Sequence, residues 1–181
     1  MGKVTIRQAC LRDGSYVAAN MKPEDRREIA CQVAEGMTNW ELAYMLIMAG
    51  GSRSHVAYLD GNPEVLFGVT PVSVNCLSAW AIGTRHGWRC IPAVTDYWHD
   101  MIPTLIDEGF NCMEARSIEG HTEAHAWLKS CGARSVAEPF RYGKGGELFH
   151  LFRWTSDDYH AISKKRRRWI KSNKKVSANV S

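Results

Sequence analysis

No stretch of this chain is apolar for long enough to span a bilayer as a helix; the longest candidates, such as Leu42 to Ala49, have the length of a helix lining a core. The N-terminus, MGKVTIRQAC, lacks the apolar central region of a secretory signal, so none is expected. Six cysteines are present (Cys10, Cys31, Cys76, Cys90, Cys112, Cys131), yet they lie at least 14 residues apart and no pair has CxxC or zinc-finger spacing. That excludes a metal finger and a disulfide framework, and predicts reduced, mostly buried thiols in a cytosol-like compartment. Internal repeats and low-complexity tracts are also absent, which excludes a solenoid. Acids are missing from one place: between Lys164 and Lys175 stand eight basic residues and none of opposite sign. Taking those eight from the formal charge of +4 leaves the rest of the chain at −4, so the basic character belongs to the tail.

What is present suits a single folded unit. At 181 residues with 45% hydrophobic content, the chain can bury a sizeable core. Thr155-Ser156-Asp157-Asp158 supplies cap-type residues and first-turn acids for a new helix. The chain is therefore divided into a domain over 1–155 and a basic C-terminal helix or tail over 156–181.

Within the domain, Val4 to Arg7 alternates as a strand, and Pro23-Glu24-Asp25 opens a helix carrying Ile29, Ala30 and Val33. The capping box Thr38-Asn39-Trp40-Glu41 starts a helix that ends at Gly50-Gly51. It is expected to be well buried, with Trp40, Ala43, Tyr44, Ile47 and Met48 on one face and Leu42, Met45 and Leu46 around the rest. His55 to Leu59 and Val65 to Val69 flank the hairpin signal Asp60-Gly61-Asn62-Pro63. Leu77 to Thr84 reads as a strand. Val94, Tyr97, Trp98, Met101, Ile102, Leu105 and Ile106 keep a helical period up to Gly109, with a kink or break expected at Pro103. A strand over Cys112 to Ile118, a helix over Thr122 to Cys131 and a strand over Glu147 to Trp154 complete the series. The fold class expected is α/β (α+β), a central mixed sheet flanked by helices.

The run Glu119 to Ala133, EGHTEAHAWLKSCGA, resembles the cofactor-side helix of the GNAT superfamily of N-acetyltransferases. That superfamily commonly has Asn at a strand end, Ala at plus three, Tyr at plus seven and Gly-Phe at plus eleven and twelve. Here His121 takes the Asn position, Ala124 matches, Leu128 replaces the Tyr, and Gly132-Ala133 replaces Gly-Phe. The element order above is also that of the superfamily. The resemblance implies a coenzyme A ligand, acetyl-CoA in an active enzyme, with Arg85, Gly87, Arg89 and His121 at its site. It also implies a lost acid, because the Tyr usually protonates the thiolate leaving group and Leu128 has no proton to give.

The phosphate-binding turn is altered as well. Active members use Gln/Arg-x-x-Gly-x-Gly/Ala, with backbone amides directed at the pyrophosphate from a helix start. The corresponding segment here, Thr84 to Ala93, has one glycine, Gly87, with Trp88, Ile91 and Pro92 adding bulk and removing a donor. Arg85 and Arg89 can still pair with a phosphate through their side chains; the plainer reading is an ordinary surface loop.

A second, narrower resemblance runs from about Val4 to Trp154. Lys22-Pro23-Glu24-Asp25-Arg26, Leu66-Phe67-Gly68-Val69, Trp80-Ala81-Ile82-Gly83-Thr84, Trp127-Leu128-Lys129 and Glu147-Leu148-Phe149-His150-Leu151-Phe152 are similar to a GNAT-like phage family. That family includes the internal virion protein A of short-tailed, podovirus-type phages. The resemblance implies a role in virion morphogenesis, with other phage virion or assembly proteins as partners and a place in the host cytoplasm during infection or in the virion; the lost acid and the altered phosphate turn make the expected role non-enzymatic, with no cofactor. The alternative from the wider superfamily is an acetyl-CoA-dependent N-acyltransferase acting on a host or phage amine.

The remaining candidates are single residues. His121 and His125, four apart at a helix start, can share a metal in principle, but no third ligand has an informative spacing, and capping, partly exposed histidines are expected. Glu114 is the one strand acid that can serve as a general base in this fold; the plainer reading is an outward-facing residue on an alternating strand. In the tail, Lys164, Lys165, Arg166, Arg167, Arg168 and Lys171 form the polyanion- or partner-binding candidate, with non-specific nucleic acid, an acidic protein or plain solvation as its readings.

Overall fold

The computed structural model describes residues 2–159. Its order is β1 (Val4–Gln8), α1 (Leu11–Ala19), α2 (Pro23–Ala30), α3 (Asn39–Gly50), β2 (Ser54–Leu59), β3 (Asn62–Ser73), β4 (Cys76–Gly83), α4 (Ile91–Asp107), β5 (Cys112–Ile118), α5 (Thr122–Ser130), β6 (Arg134–Ser135), β7 (Phe140–Arg141) and β8 (Leu148–Thr155). One mixed sheet runs β1-β2-β3-β4-β5-β8-β6, with β7 also on β8. The expected α/β architecture is present. Among the described residues no helix is long and apolar enough to cross a membrane.

Alternation along the strands sends side chains to two layers. Val69, Leu77, Met113, Ala115 and Phe152 meet α4 and α5 through Trp98, Ile102, Leu105 and Leu128. Val56, Tyr58, Leu66 and Ile82 meet α1 and α3 through Val17, Ala18 and Leu42 on the other face. The β2–β3 turn places Asp60 and Gly61 at φ 51° and 88°, the pair of positive values that a tight primed turn needs, as its Asp-Gly sequence signals.

Three expectations are corrected. The helix α1 has no sequence signature: Cys10 gives no side-chain cap and Gly14 lowers helix propensity. Gly14 lets the two helices touch: a Cβ there would stand 2.8 Å from Ile47 Cδ1 of α3, so Ile47 would have to shift. Asp13 then ties α1 to the sheet by accepting from Tyr58 Oη at 2.6 Å; burial, with Asp13 next, pushes the phenol up to about 12. Second, α3 keeps its reciprocal Thr38–Glu41 cap but not its burial. Leu42 and Ala43 face inward, while Trp40, Tyr44, Met45 and Met48 are exposed, with the Trp40 and Tyr44 rings stacked at 5.4 Å. An all-round apolar helix carries no pattern that tells which side will pack.

Third, α4 runs unbroken through Pro103. Pro103 is exposed, and lacking an N–H it leaves the carbonyl of His99, one turn earlier, without its helical donor. Tyr159 Oη donates to that carbonyl at 3.1 Å. Tyr159 is itself buried in the core, in a helical turn capped by Thr155, whose Oγ1 accepts from Asp158 N at 3.3 Å. The inward face of α4 is Val94, Trp98, Ile102 and Leu105, with Met101 and Ile106 only half-buried. Ile102→Val is accordingly expected to cost about 0.5–1.5 kcal/mol, and Ile106→Val less, in paired urea unfolding curves. Equal costs would mean the helix is rotated relative to this face.

Candidate functional site at the β4–β5 opening

The two halves of the sheet meet at a short parallel joint. β4 and β5 pair only through Cys76, Leu77 and Ser78 with Cys112, Met113 and Glu114, and towards their C-terminal ends, Gly83 and Ile118, they have no mutual register. The wedge between those ends is the natural place for a ligand in a sheet that splits.

Helix α2 closes the mouth of this wedge. Asp25 and Glu28 are three residues apart and so share a helix face. Asp25 Oδ2 accepts from Gly83 N at 2.7 Å, ending β4. Glu28 Oε2 accepts from Ile118 N at 3.1 Å and Ser117 Oγ at 2.9 Å, ending β5. It also lies 2.9 Å from His121 Nδ1, within hydrogen-bond distance. His121 Nε2 lies 3.5 Å from Asp25 Oδ1, as does Lys22 Nζ, which also reaches Glu123 at 3.3 Å. Each diverging strand is thus terminated by a carboxylate that borrows its unpaired amide.

Burial raises the Asp25 pKa above its ordinary value, the largest effect, with Glu28 adding repulsion; Lys22, the Gly83 amide and His121 work the other way. The sign for stability follows from the direction. A group that binds its proton more tightly when folded contributes stability below its unfolded pKa and loses it as pH rises through the raised folded value. Asp25→Asn should therefore compare more favourably with the parent protein at pH 7 than at pH 4. Parallel urea titrations at the two pH values test this, and an unchanged difference would refute a raised pKa.

Trp127 of α5 packs between α5 and α4. Its ring packs on both the β5–β8 cluster and the cluster around Ala57, Phe67, Cys90 and Val94. Its Nε1 donates to Thr95 Oγ1 of α4 at 2.9 Å, tying α5 to α4. Leu128 is buried in the core beside it. Trp80 points to the other face, donating to Thr70 Oγ1 at 3.0 Å, and Trp88 is 70% exposed.

Four amides of the loop after β4 are already bonded, one to β3 and three within the loop. Thr84 N donates to Glu64 O at 2.9 Å, and the Thr84 hydroxyl bonds the buried Glu64 carboxylate. His86 N donates to Thr84 Oγ1 at 3.1 Å, Gly87 N to Thr84 O at 3.1 Å and Arg89 N to His86 O at 3.0 Å, forming a short 3-10 turn over Gly87–Cys90. Gly87 is buried; a Cβ there would lie 3.1 Å from Glu64 O and Val65 Cγ2, so its close packing on β3 gives the glycine a structural role of its own. Arg85 and Arg89 are exposed.

The other candidates fall as follows. His121 is buried rather than partly exposed, because α2 covers it. Glu114 is buried rather than outward-facing, held by Arg116 at 2.6 Å and Arg153 at 3.4 Å at the joined end of the wedge, so it is not placed as a base at the mouth. His125 packs edge-on against His150, ring centroids 4.6 Å apart, rather than joining His121, and burial, then His150, lower its pKa. Among the described residues no group of three or more His, Cys, Asp or Glu side chains is gathered for a metal. Lys164, Lys165, Arg166, Arg167, Arg168 and Lys171 lie outside the described residues. Asp25, Glu28 and Ser117 are absent from the sequence-derived candidates: their contacts to Gly83, Ile118 and one another span 58 to 90 residues, and only the i, i+3 acid pair hints at a shared face.

No protein-family profile matches the chain, and no curated protein does. Solved structures do. Spermidine N-acetyltransferase from Vibrio cholerae, in complex with CoA and spermine, matches at a TM-score of 0.65 and 12% identity, over 86% of this chain and 97% of that one. Ard1 from Thermoplasma volcanium matches at 0.64 and 12%, over 84% and 97%. The putative acetyltransferase yncA from Salmonella typhimurium, with acetyl-CoA, matches at 0.61 and 14%, over 84% and 94%. At these identities the likeness establishes the GNAT-like fold. The fold implies coenzyme A; three amides of the turn that would meet its phosphates are already bonded within that turn, and Leu128, at the position of the usual acid, lies in the core with no proton to give.

Proposed function

We propose that this chain is a phage protein that has kept the acetyltransferase fold, has given up acyl transfer, and acts by binding other virion or assembly proteins during particle formation. The observation that carries this reading is the closed wedge, whose two strand ends are capped by Asp25 and Glu28 of the protein's own α2. The exposed Trp40, Tyr44, Met45 and Met48 of α3 support a binding role, since aromatic and Met side chains are enriched at protein interfaces. Calorimetric titration with acetyl-CoA should give no saturable heat at micromolar ligand. A dissociation constant near 10 micromolar, roughly −7 kcal/mol, would overturn the non-enzymatic part. Mass spectrometry of purified particles tests the other half: the protein should be found in them or on assembly intermediates, and absence from both would overturn the virion role.

A second reading has its own support. The chain shares its fold with structures solved with CoA or acetyl-CoA, which favours an N-acyltransferase with a divergent loop, acting on a host or phage amine. The same titration separates the two, because that reading requires the cofactor to bind.

A further inference from the structure

Cys76 opens β4 and Cys112 opens β5, and the two are register partners at the joint that holds the half-sheets together. Their sulfurs are 3.0 Å apart. A disulfide needs about 2.05 Å between sulfurs and about 4.4–6.8 Å between Cα atoms; adjacent strands lie about 4.8 Å apart. Closing the bond therefore asks for roughly 1 Å of sulfur travel and no strand movement. Both residues are half-buried beside exposed turns, Ser73 to Asn75 on one side and Asn111 on the other, so a small reagent can reach them. The other thiols are dispersed: Cys10 is exposed beside Asp13, and Cys31, Cys90 and Cys131 sit in three different core clusters.

We propose that Cys76 and Cys112 are a redox modification site, at which a low-molecular-weight disulfide of the glutathione class closes an intramolecular disulfide that staples β4 to β5. In the first step the Cys112 thiolate attacks one sulfur of the small disulfide, forming a mixed disulfide and releasing one small thiolate. The Cys76 thiolate then attacks the Cys112 sulfur and releases the second. Two protein thiols lose two protons and two electrons, and one small disulfide becomes two thiols. Burial, with the Cys112 contact next, pushes the Cys76 thiol up to about 12, so closure should quicken as pH rises.

The staple spans 36 residues of sequence, including all of α4, and fixes the closed end of the wedge. Because the β4–β5 joint that connects the two halves of the sheet has only three register positions, a covalent bond there reinforces a short seam. Loop closure of this length should raise the melting temperature by about 5–15 °C.

The test uses the full chain, treated with oxidised glutathione or with a reducing agent. Thiols counted under denaturing conditions should fall from six by the two of the bridge, beside any adduct on the exposed Cys10, and peptide mapping should join the segments holding Cys76 and Cys112. Cys112→Ser should abolish the cross-link, and Cys76→Ser should instead accumulate a stable glutathione adduct on Cys112. Cys90→Ser, which shares a tryptic peptide with Cys112, should leave the cross-link intact. Six free thiols after oxidation, a bridge mapped to another pair, or a parent protein that stops at the mixed disulfide would each overturn the proposal.

Discussion

Glu28→Ala is expected to lower the unfolding free energy by about 3–5 kcal/mol, because removing one partner from a buried polar cluster leaves the others uncompensated. The carboxylate is 16% exposed and a single oxygen serves the Ser117 hydroxyl, the Ile118 amide and the His121 ring. Ala would abandon all three in a site too enclosed for each to find water. Glu28→Gln keeps one acceptor oxygen and should recover a substantial part of the loss. The result also separates the two functional readings. Residues that wait for a substrate are commonly held at some cost to stability, so replacing them is neutral or stabilising. A loss below about 1 kcal/mol in urea unfolding would mark Glu28 as such a residue and favour the enzyme. The full loss marks α2 as a structural plug.

Where a short sequence signal decides local structure, the chain is readable. The Thr38–Glu41 cap, the Asp60-Gly61 turn, and Gly109 and Gly132 at φ 97° and 91° just past α4 and α5 all stand where local chemistry puts them. Each depends on residues within a few positions of one another. The misjudged features depend on distant partners instead. α1 forms because Gly14 admits Ile47 and Asp13 meets Tyr58, 45 residues away, and neither contact leaves a trace in the run Leu11–Ala19. The burial of Glu114 and His121 leaves no local trace because α2 and β8 supply the cover, and an alternating strand or a helix start looks the same with or without it.

The candidate site was legible mainly by what it lacks. Leu128 and the single loop glycine, with Trp88, Ile91 and Pro92 around it, are visible in sequence as departures from a cofactor-binding pattern. What fills the vacated role was not visible: Asp25 reads as an ordinary first-turn acid until Gly83 is seen donating to it. Tyr159 is a similar case. By position it belongs with the basic tail, yet it seals the carbonyl that Pro103 frees in α4, so the first helical turn beyond Thr155 is packed into the core.

That packing fixes how the tail should be tested. If the eight cations between Lys164 and Lys175 are the electrostatic anchor, the full chain should bind duplex DNA without regard to base sequence, since contiguous Lys and Arg side chains reach phosphates and no base-reading element accompanies them. Each phosphate neutralised contributes about −0.9 to the slope of log affinity against log salt. With about six engaged, raising salt from 50 to 200 mM should weaken binding about a thousand-fold. A chain ending at Ser163 removes all eight cations, falls to a net charge of −4, and keeps Tyr159 in the core. It should melt as the parent does and lose the binding. Binding retained by the shortened chain, or a full-length complex indifferent to salt, would exclude the tail as a phosphate anchor and direct attention to a protein contact through Trp169 and Ile170.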